Sequence, residues 1–362
     1  MDTTDAPQMI EHLRKSVSFT PHDTKWIPNS ARFVSCGISA KGQGVLNVYQ
    51  LDRQELKSIH EETDAVDCGI KCCTFGASRV QQRHVAVGDY NGGLHIFDLS
   101  QLGTTLPKIY SVKEHEGLVN CIDGIGGNSI SIGAPELATG GKDGIVRVWD
   151  PRLADPVLVF EPETDTASRD CWSVCFGDAF NASDRCLAAG FDNGDVKLFD
   201  MRTNQIRWET NVSNGVTSVE FDRNDVEMNK LLATTLESNF YTFDLKTRHP
   251  KDGFSFLKET AHRSTIWLSR SLPQNRDIFC TGGGNGGLNI YKYVYPLERS
   301  QKHPTDNLPM GKMGTNQLLN SRVVSTQPVT SFDWSPDKVG LCCLSCLDQT
   351  VRVYIITKLE KY

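Results

Sequence analysis

The chain has 362 residues, 39% hydrophobic, 23% charged and 9% aromatic, the make-up of a globular protein, and its formal charge of -6 argues against nucleic acid or an anionic membrane as main partner. No run of about 18 or more apolar residues exists, so no membrane-spanning helix is expected. Length alone would suggest two domains, unless an internal repeat lets each unit pack only against its neighbours.

The N-terminal stretch 1–8 carries Asp2 and Asp5 without an apolar core, so a secretory leader is not expected. On that reading the sequons at Asn181 and Asn211 carry little weight, and the 12 cysteines are expected to be thiols in a reducing compartment, the cytoplasm by default. Residues 8–14 (Gln-Met-Ile-Glu-His-Leu-Arg) read as a strand that belongs to no repeat.

From there one pattern recurs to the C-terminus. It is a small or apolar strand, a Gly/Asp/Asn turn, then an alternating strand ending in an aromatic and often an acid. Copies run at 43–49, 90–98, 142–150, 192–200, 236–244, 285–291 and 348–354, a spacing of about 50 residues. A further strand precedes each turn, as in Leu-Ala-Thr-Gly before Lys142. Another, often aromatic, comes earlier still: Lys25-Trp26, Cys171-Trp172, Thr265-Ile-Trp267 and Phe332-Asp-Trp334. An outer strand follows the aromatic–acid pair, as at 156–160 and 205–208. Short alternating strands punctuated by Gly, Asn, Asp and Pro indicate an all-β fold. Four strands per unit and seven units predict a seven-bladed WD40 β-propeller spanning 1–362 as one domain. Little chain remains after Tyr354, so 8–14 is predicted to supply the missing outer strand and close the ring, removing two exposed strand edges.

His115, Thr139, Asp143 and Trp149 have the order and spacing of the WD-repeat hydrogen-bond tetrad, and His262, Thr281, Asn285 and Tyr291 repeat it imperfectly. Because the repeat explains these His and acid side chains, they are read as structural rather than catalytic. The glycine clusters 124–127 and 282–287 lack the Gly-Lys-Ser/Thr and the βαβ context that phosphate binding requires. Cys68/Cys72/Cys73 and Cys342/Cys343/Cys346 lack paired metal knuckles, and the second group falls in a predicted buried strand. No catalytic residue, cofactor or metal is therefore expected. The segment 299–320 has little periodicity and is predicted to be a mobile loop between the sixth and seventh blades; the acidic stretch 161–165 reads similarly.

The resemblance to a known family rests on 123–127 (Asp-Gly-Ile-Gly-Gly), 133–136 (Gly-Ala-Pro-Glu), 169–172 (Arg-Asp-Cys-Trp), 193–200 (Asn-Gly-Asp-Val-Lys-Leu-Phe-Asp), 207–211 (Arg-Trp-Glu-Thr-Asn), 228–230 (Met-Asn-Lys), 272–276 (Leu-Pro-Gln-Asn-Arg), 325–328 (Ser-Thr-Gln-Pro), 333–338 (Asp-Trp-Ser-Pro-Asp-Lys) and 348–353 (Asp-Gln-Thr-Val-Arg-Val). On these the chain resembles, over essentially its whole length, the Monad family of WD-repeat proteins, axonemal dynein assembly factors. The resemblance implies a non-enzymatic, cytoplasmic co-chaperone adaptor. Its partners would be the RuvB-like ATPase complex with its TPR adaptor, prefoldin-like subunits and heat-shock protein 90. Its clients would be axonemal dynein heavy chains, preassembled for motile cilia and flagella; a link to apoptosis is also attached to the family. A monomer is expected.

On a propeller face, residues at or just before the inner strands are the first candidates for partner binding: Arg169, Asp170, Trp172, Arg263 and Trp267. The two tryptophans have an alternative reading as packing between blades. A second functional reading comes from Trp149-Asp150-Pro151-Arg152, which resembles the motif by which some propellers dock onto a cullin-RING ubiquitin ligase as substrate receptors; Phe199-Asp-Met-Arg202 is a weaker echo.

Overall fold

A computed structural model describes residues 6–125, 136–162, 169–181 and 183–362. Parts of the 124–127 and 133–136 stretches, of the acidic stretch 161–165 and of the Asn181 sequon lie outside the described residues. Among the described residues there is no α-helix, and the strands form seven four-stranded antiparallel sheets plus one two-stranded hairpin. Six blades use four strands consecutive along the chain or nearly so; the fourth blade, for example, runs Cys171–Gly177, Cys186–Phe191, Asp195–Asp200 and Gln205–Asn211 from inside to outside. The chain is thus the expected seven-bladed propeller. The seventh blade takes its outer strand from Met9–Ser16, which pairs antiparallel with Thr350–Ile356.

Alternation sets the burial. The second and third strands of each blade lie between neighbouring blades, so both their faces are covered, and Leu187, Ala188, Ala189, Val196 and Leu198 are fully buried. Outer strands touch a neighbour only on one face and alternate: Ile206 is exposed where Trp208 is buried. Tight turns join the second and third strands. At Gly92 the backbone has φ +89, and a Cβ there would lie 2.0 Å from the His115 carbonyl oxygen, so only glycine lets the turn pack under the loop that enters the third blade.

The inner strands pose a separate problem: their channel-side edge has no strand to pair with. Side chains of the preceding blade satisfy part of it. The Asp333 carboxylate accepts the Trp26 amide (2.8 Å), Asp123 accepts Phe176 (2.9 Å), Glu220 accepts Ser271 (2.8 Å) and Asp23 accepts Cys73 (2.9 Å). The Ser173 hydroxyl accepts the Val219 amide at 2.9 Å. Buried amides must be paired, which is why polar residues recur on strands that otherwise read as apolar.

The segment 299–320 corrects its reading as a loop. Ser300–Lys302 and Pro309–Gly311 form a hairpin, and Thr315–Val323 is the outer strand of the sixth blade, paired with Gly287–Val294. Its periodicity is hidden because the register slips between Ile290 and Tyr291, which puts Leu318 and Leu319 side by side and breaks the alternation. The hairpin lies against the fifth blade, where the Ser255 hydroxyl donates to the Gly311 carbonyl (2.8 Å) and Arg299 pairs with Asp244 (2.7 Å).

Candidate functional site

In the third blade the predicted tetrad is a continuous chain. Trp149 Nε1 donates to Thr139 Oγ1 at 2.8 Å, Thr139 Oγ1 lies 2.8 Å from His115 Nε2, and His115 Nδ1 lies 3.0 Å from Asp143 Oδ1. Asp143 also accepts the Glu116 and Ile145 amides and pairs with Arg147. Burial opposes its ionisation, yet the His115 hydrogen bond and charge and the two amides hold its carboxyl well below the usual carboxylate range. In the sixth blade His262 Nε2 meets Thr281 Oγ1 at 2.8 Å, and Asn285 stands in for the acid, which leaves burial to push the His262 imidazole down. Tyr291 stays outside this chain: its hydroxyl bonds Asn289 (3.2 Å), since a phenol carries its polar atom at the ring tip rather than on the edge. None of these groups lines the central-channel cavity.

The register sorts loops onto two faces. Cys171, first in its inner strand, pairs with Phe191, last in the next, so inter-blade loops share a face with the second-to-third-strand turns. The ends of the third strands, including Trp149-Asp150, emerge on the other. All five partner-binding candidates fall on the turn face. Trp172 and Trp267 line the mouth of the central channel, a cavity of about 970 Å³, together with His22, Lys71, Pro328 and Leu347. Trp267 is 41% exposed, whereas Trp172 is half-buried beside Gly215. Arg169 and Arg263 are exposed and Asp170 half-buried on the surrounding loops, outside the cavity lining.

Sequence reasoning missed the charged layer deeper in the channel. Lys25, Asp123, Glu220, Arg270 and Asp333 occupy equivalent inner-strand positions in five blades. Arg270 pairs with Glu220 at 3.2 Å. Burial pushes Glu220 up to about 7 against the opposing pull of Arg270, the Ser271 amide and Lys25, and burial raises Asp123 and Asp333 as well. The available signal was their place near the last residue of each inner strand, one repeat apart between Glu220 and Arg270 and about two repeats apart from Lys25 to Asp123 and from Asp123 to Glu220.

On the opposite face, Arg152 is folded back onto Asp150 in a two-pronged ion pair, Nε to Oδ1 at 3.0 Å and Nη2 to Oδ2 at 2.6 Å. All 12 cysteines are free. Burial pushes the Cys342 and Cys343 thiols up, which suits apolar filler rather than nucleophile or ligand.

A WD domain, G-beta repeat pattern matches residues 106–150, the outer strand of the second blade and the first three strands of the third. Over nearly the whole chain there is more. The sequence is 52% identical to dynein axonemal assembly factor 10 of Xenopus tropicalis over 358 residues, covering 99% of this chain and 98% of that one. It is 51% identical to the Homo sapiens protein of that name and 47% identical to that of Chlamydomonas reinhardtii, each over 100% of both chains. The chain belongs to the dynein axonemal assembly factor 10 family. Full coverage at such identity means that the seven blades, the closing strand and the hairpin insertion all lie within the part shared with dynein axonemal assembly factor 10.

Proposed function

We propose that the protein is a non-enzymatic interaction scaffold that acts as a co-chaperone adaptor in the cytoplasmic preassembly of axonemal dynein arms. The observation that carries this reading is the match to relatives named for dynein axonemal assembly along their entire length. The kind of surface supports it: a rigid ring whose polar networks are spent on holding blades together, with a broad turn face bearing exposed Arg169, Arg263 and Trp267. Such a face suits protein partners, because aromatic and arginine anchors around a recess are what binding hot spots use. The partners in this reading are the RuvB-like ATPase complex with its TPR adaptor, prefoldin-like subunits and the heat-shock protein 90 system, with dynein heavy chains as clients.

Affinity purification of the tagged full chain from ciliated cells, followed by mass spectrometry, tests it. Recovery of RuvB-like ATPases, the TPR adaptor and dynein heavy chains supports the adaptor. Recovery of a cullin with its propeller-binding adaptor in their place would move the protein to the ubiquitin-ligase class.

A further inference from the structure

On the outer flank of the fifth blade, away from channel and turn face, four side chains meet that no repeat position explains. The strand Asn239–His249 turns through 249–253 into Gly253–Thr260, and the tip of the inserted hairpin, 303–308, lies over that turn. This brings together His249 and Asp252 from the turn with His303 and Asp306 from the hairpin. The two imidazole rings are 4.4 Å apart, tilted by 30°. Asp306 bridges them on one side, 3.1 Å from His249 Nε2 and 3.2 Å from His303 Nδ1. Asp252 bridges the opposite nitrogens, 3.1 Å from His249 Nδ1 and 3.0 Å from His303 Nε2.

The proton count does not close. Two neutral imidazoles carry two N–H groups, and four nitrogen–carboxylate contacts call for four. His249 Nδ1 also accepts the Asp252 amide at 3.1 Å, and the Thr305 hydroxyl stands 2.9 Å from His303 Nδ1. With both rings neutral the cluster holds more acceptors than N–H donors. One side chain, His249, is 1% exposed, while Asp306 and His303 are 26% and 19% exposed, so the pocket between them is reachable from solvent.

We propose that His249 Nε2, His303 Nδ1 and a carboxylate oxygen of Asp306 form a divalent-metal site of the zinc type, with water as the remaining ligand. These ligand atoms lie within 4.8 Å of one another. Zinc bonds of about 2.0–2.1 Å to nitrogen and oxygen set tetrahedral ligand atoms about 3.3 Å apart, and Asp306 Oδ1 lies 3.3 Å from His249 Nε2 and 3.2 Å from His303 Nδ1, which needs only a small adjustment. Asp252 completes the arrangement. Metal on His303 Nδ1 leaves that ring's proton on Nε2, and metal on His249 Nε2 shifts its proton to Nδ1 in exchange for the Asp252 amide bond accepted there; both N–H groups then face the Asp252 carboxylate, the outer carboxylate that metal-bound histidines characteristically use. Two ligands come from the hairpin and one from the blade, so the ion staples the insertion to the fifth blade. The metal arrives as a free divalent cation, and no bond other than coordination forms.

The test uses the full chain, stripped with chelator and titrated with cobalt(II), then with zinc. One equivalent of cobalt is expected to give the visible absorption of a tetrahedral site, and zinc to abolish it. H303N and D306N should lose the band; D252N should keep it with affinity weakened about 10–100-fold. The melting temperature of the stripped wild type should rise with zinc, and that of H303N should not, which keeps the test decisive if D306N folds poorly. No band with excess cobalt, an unchanged band in D306N, or a sulfur-to-cobalt charge-transfer band that assigns the metal to cysteine would each overturn the site.

Discussion

The Tyr354 hydroxyl donates to the Glu11 carboxylate at 2.7 Å, joining the last strand of the propeller to the first across 343 positions of sequence. Burial with the Glu11 charge beside it pushes that phenol up to about 12, so the bond persists through any physiological pH. Around it Met9 and Leu13 are buried, in the seventh-blade core and the seam to the first blade respectively. Deleting the residues before Phe19 strips these contacts and exposes a strand edge. At about 1.5–3 kcal/mol for each buried side chain, the melting temperature should fall by about 10 °C or more in a calorimetric scan. A truncated chain that melts with the full-length one would show that the ring does not depend on this closure.

Asp143 anchors the third-blade tetrad. Its pKa is lower folded than unfolded, so its contribution is present above the ordinary carboxylate pKa of about 4 and is lost as pH falls through the folded value. Asp143→Asn should cost about 3 kcal/mol at pH 7 by leaving His115 and Arg147 without their acid. It should also flatten the loss of stability below about pH 4. Urea unfolding between pH 3 and 7 reads both effects, and a mutant as stable as wild type at pH 7 would contradict the network.

His22, at the channel mouth, acts in the same direction at higher pH. Its Nε2 accepts the Tyr90 hydroxyl at 2.7 Å, and burial, with Lys71 nearby and only Asp23 opposing, lowers it to about 4. The unfolded chain therefore binds the proton first, and stability should decline as pH drops from about 6.5 towards about 4. His22→Gln keeps an acceptor for Tyr90 without titrating, so its melting temperature should change less across that window. Parallel curves for the two proteins would remove His22 from the account.

Ser173 tests the channel-edge caps. Ser173→Ala leaves the Val219 amide without its acceptor, a buried unpaired donor worth about 1–3 kcal/mol. The loss should show as a lower denaturation midpoint at unchanged slope. No shift would mean that water replaces the hydroxyl and the cap is dispensable.

The turn face predicts a separation of binding from stability. Arg169 and Arg263 are exposed and lie on inter-blade loops. Arg169→Glu with Arg263→Glu should leave unfolding within about 0.5 kcal/mol of wild type while co-purification of partners is lost. Trp267→Ala, removing a half-exposed ring, should weaken co-purification similarly. Retained binding in both would move the partner site to another face.

What the amino-acid order decided by itself is the local repeat. Alternation, turn glycines and the His115, Thr139, Asp143 and Trp149 spacing act within one blade and its entry loop, so they are written in a contiguous stretch. The leftover strand at 8–14 announced the closure by having no partner in sequence. Tertiary structure decided what depends on strands from different blades meeting. Lys25, Glu220 and Arg270 look like unrelated charges until seven inner strands surround one channel. The outer strand Thr315–Val323 was hidden because a bulge breaks its alternation. His249 and His303 are 54 positions apart by number and become neighbours only because the hairpin folds back over the fifth blade. Periodicity records which way a side chain points from its own strand; which other strand lies opposite is settled by packing, and there the channel charges and the histidine pair acquire their chemistry.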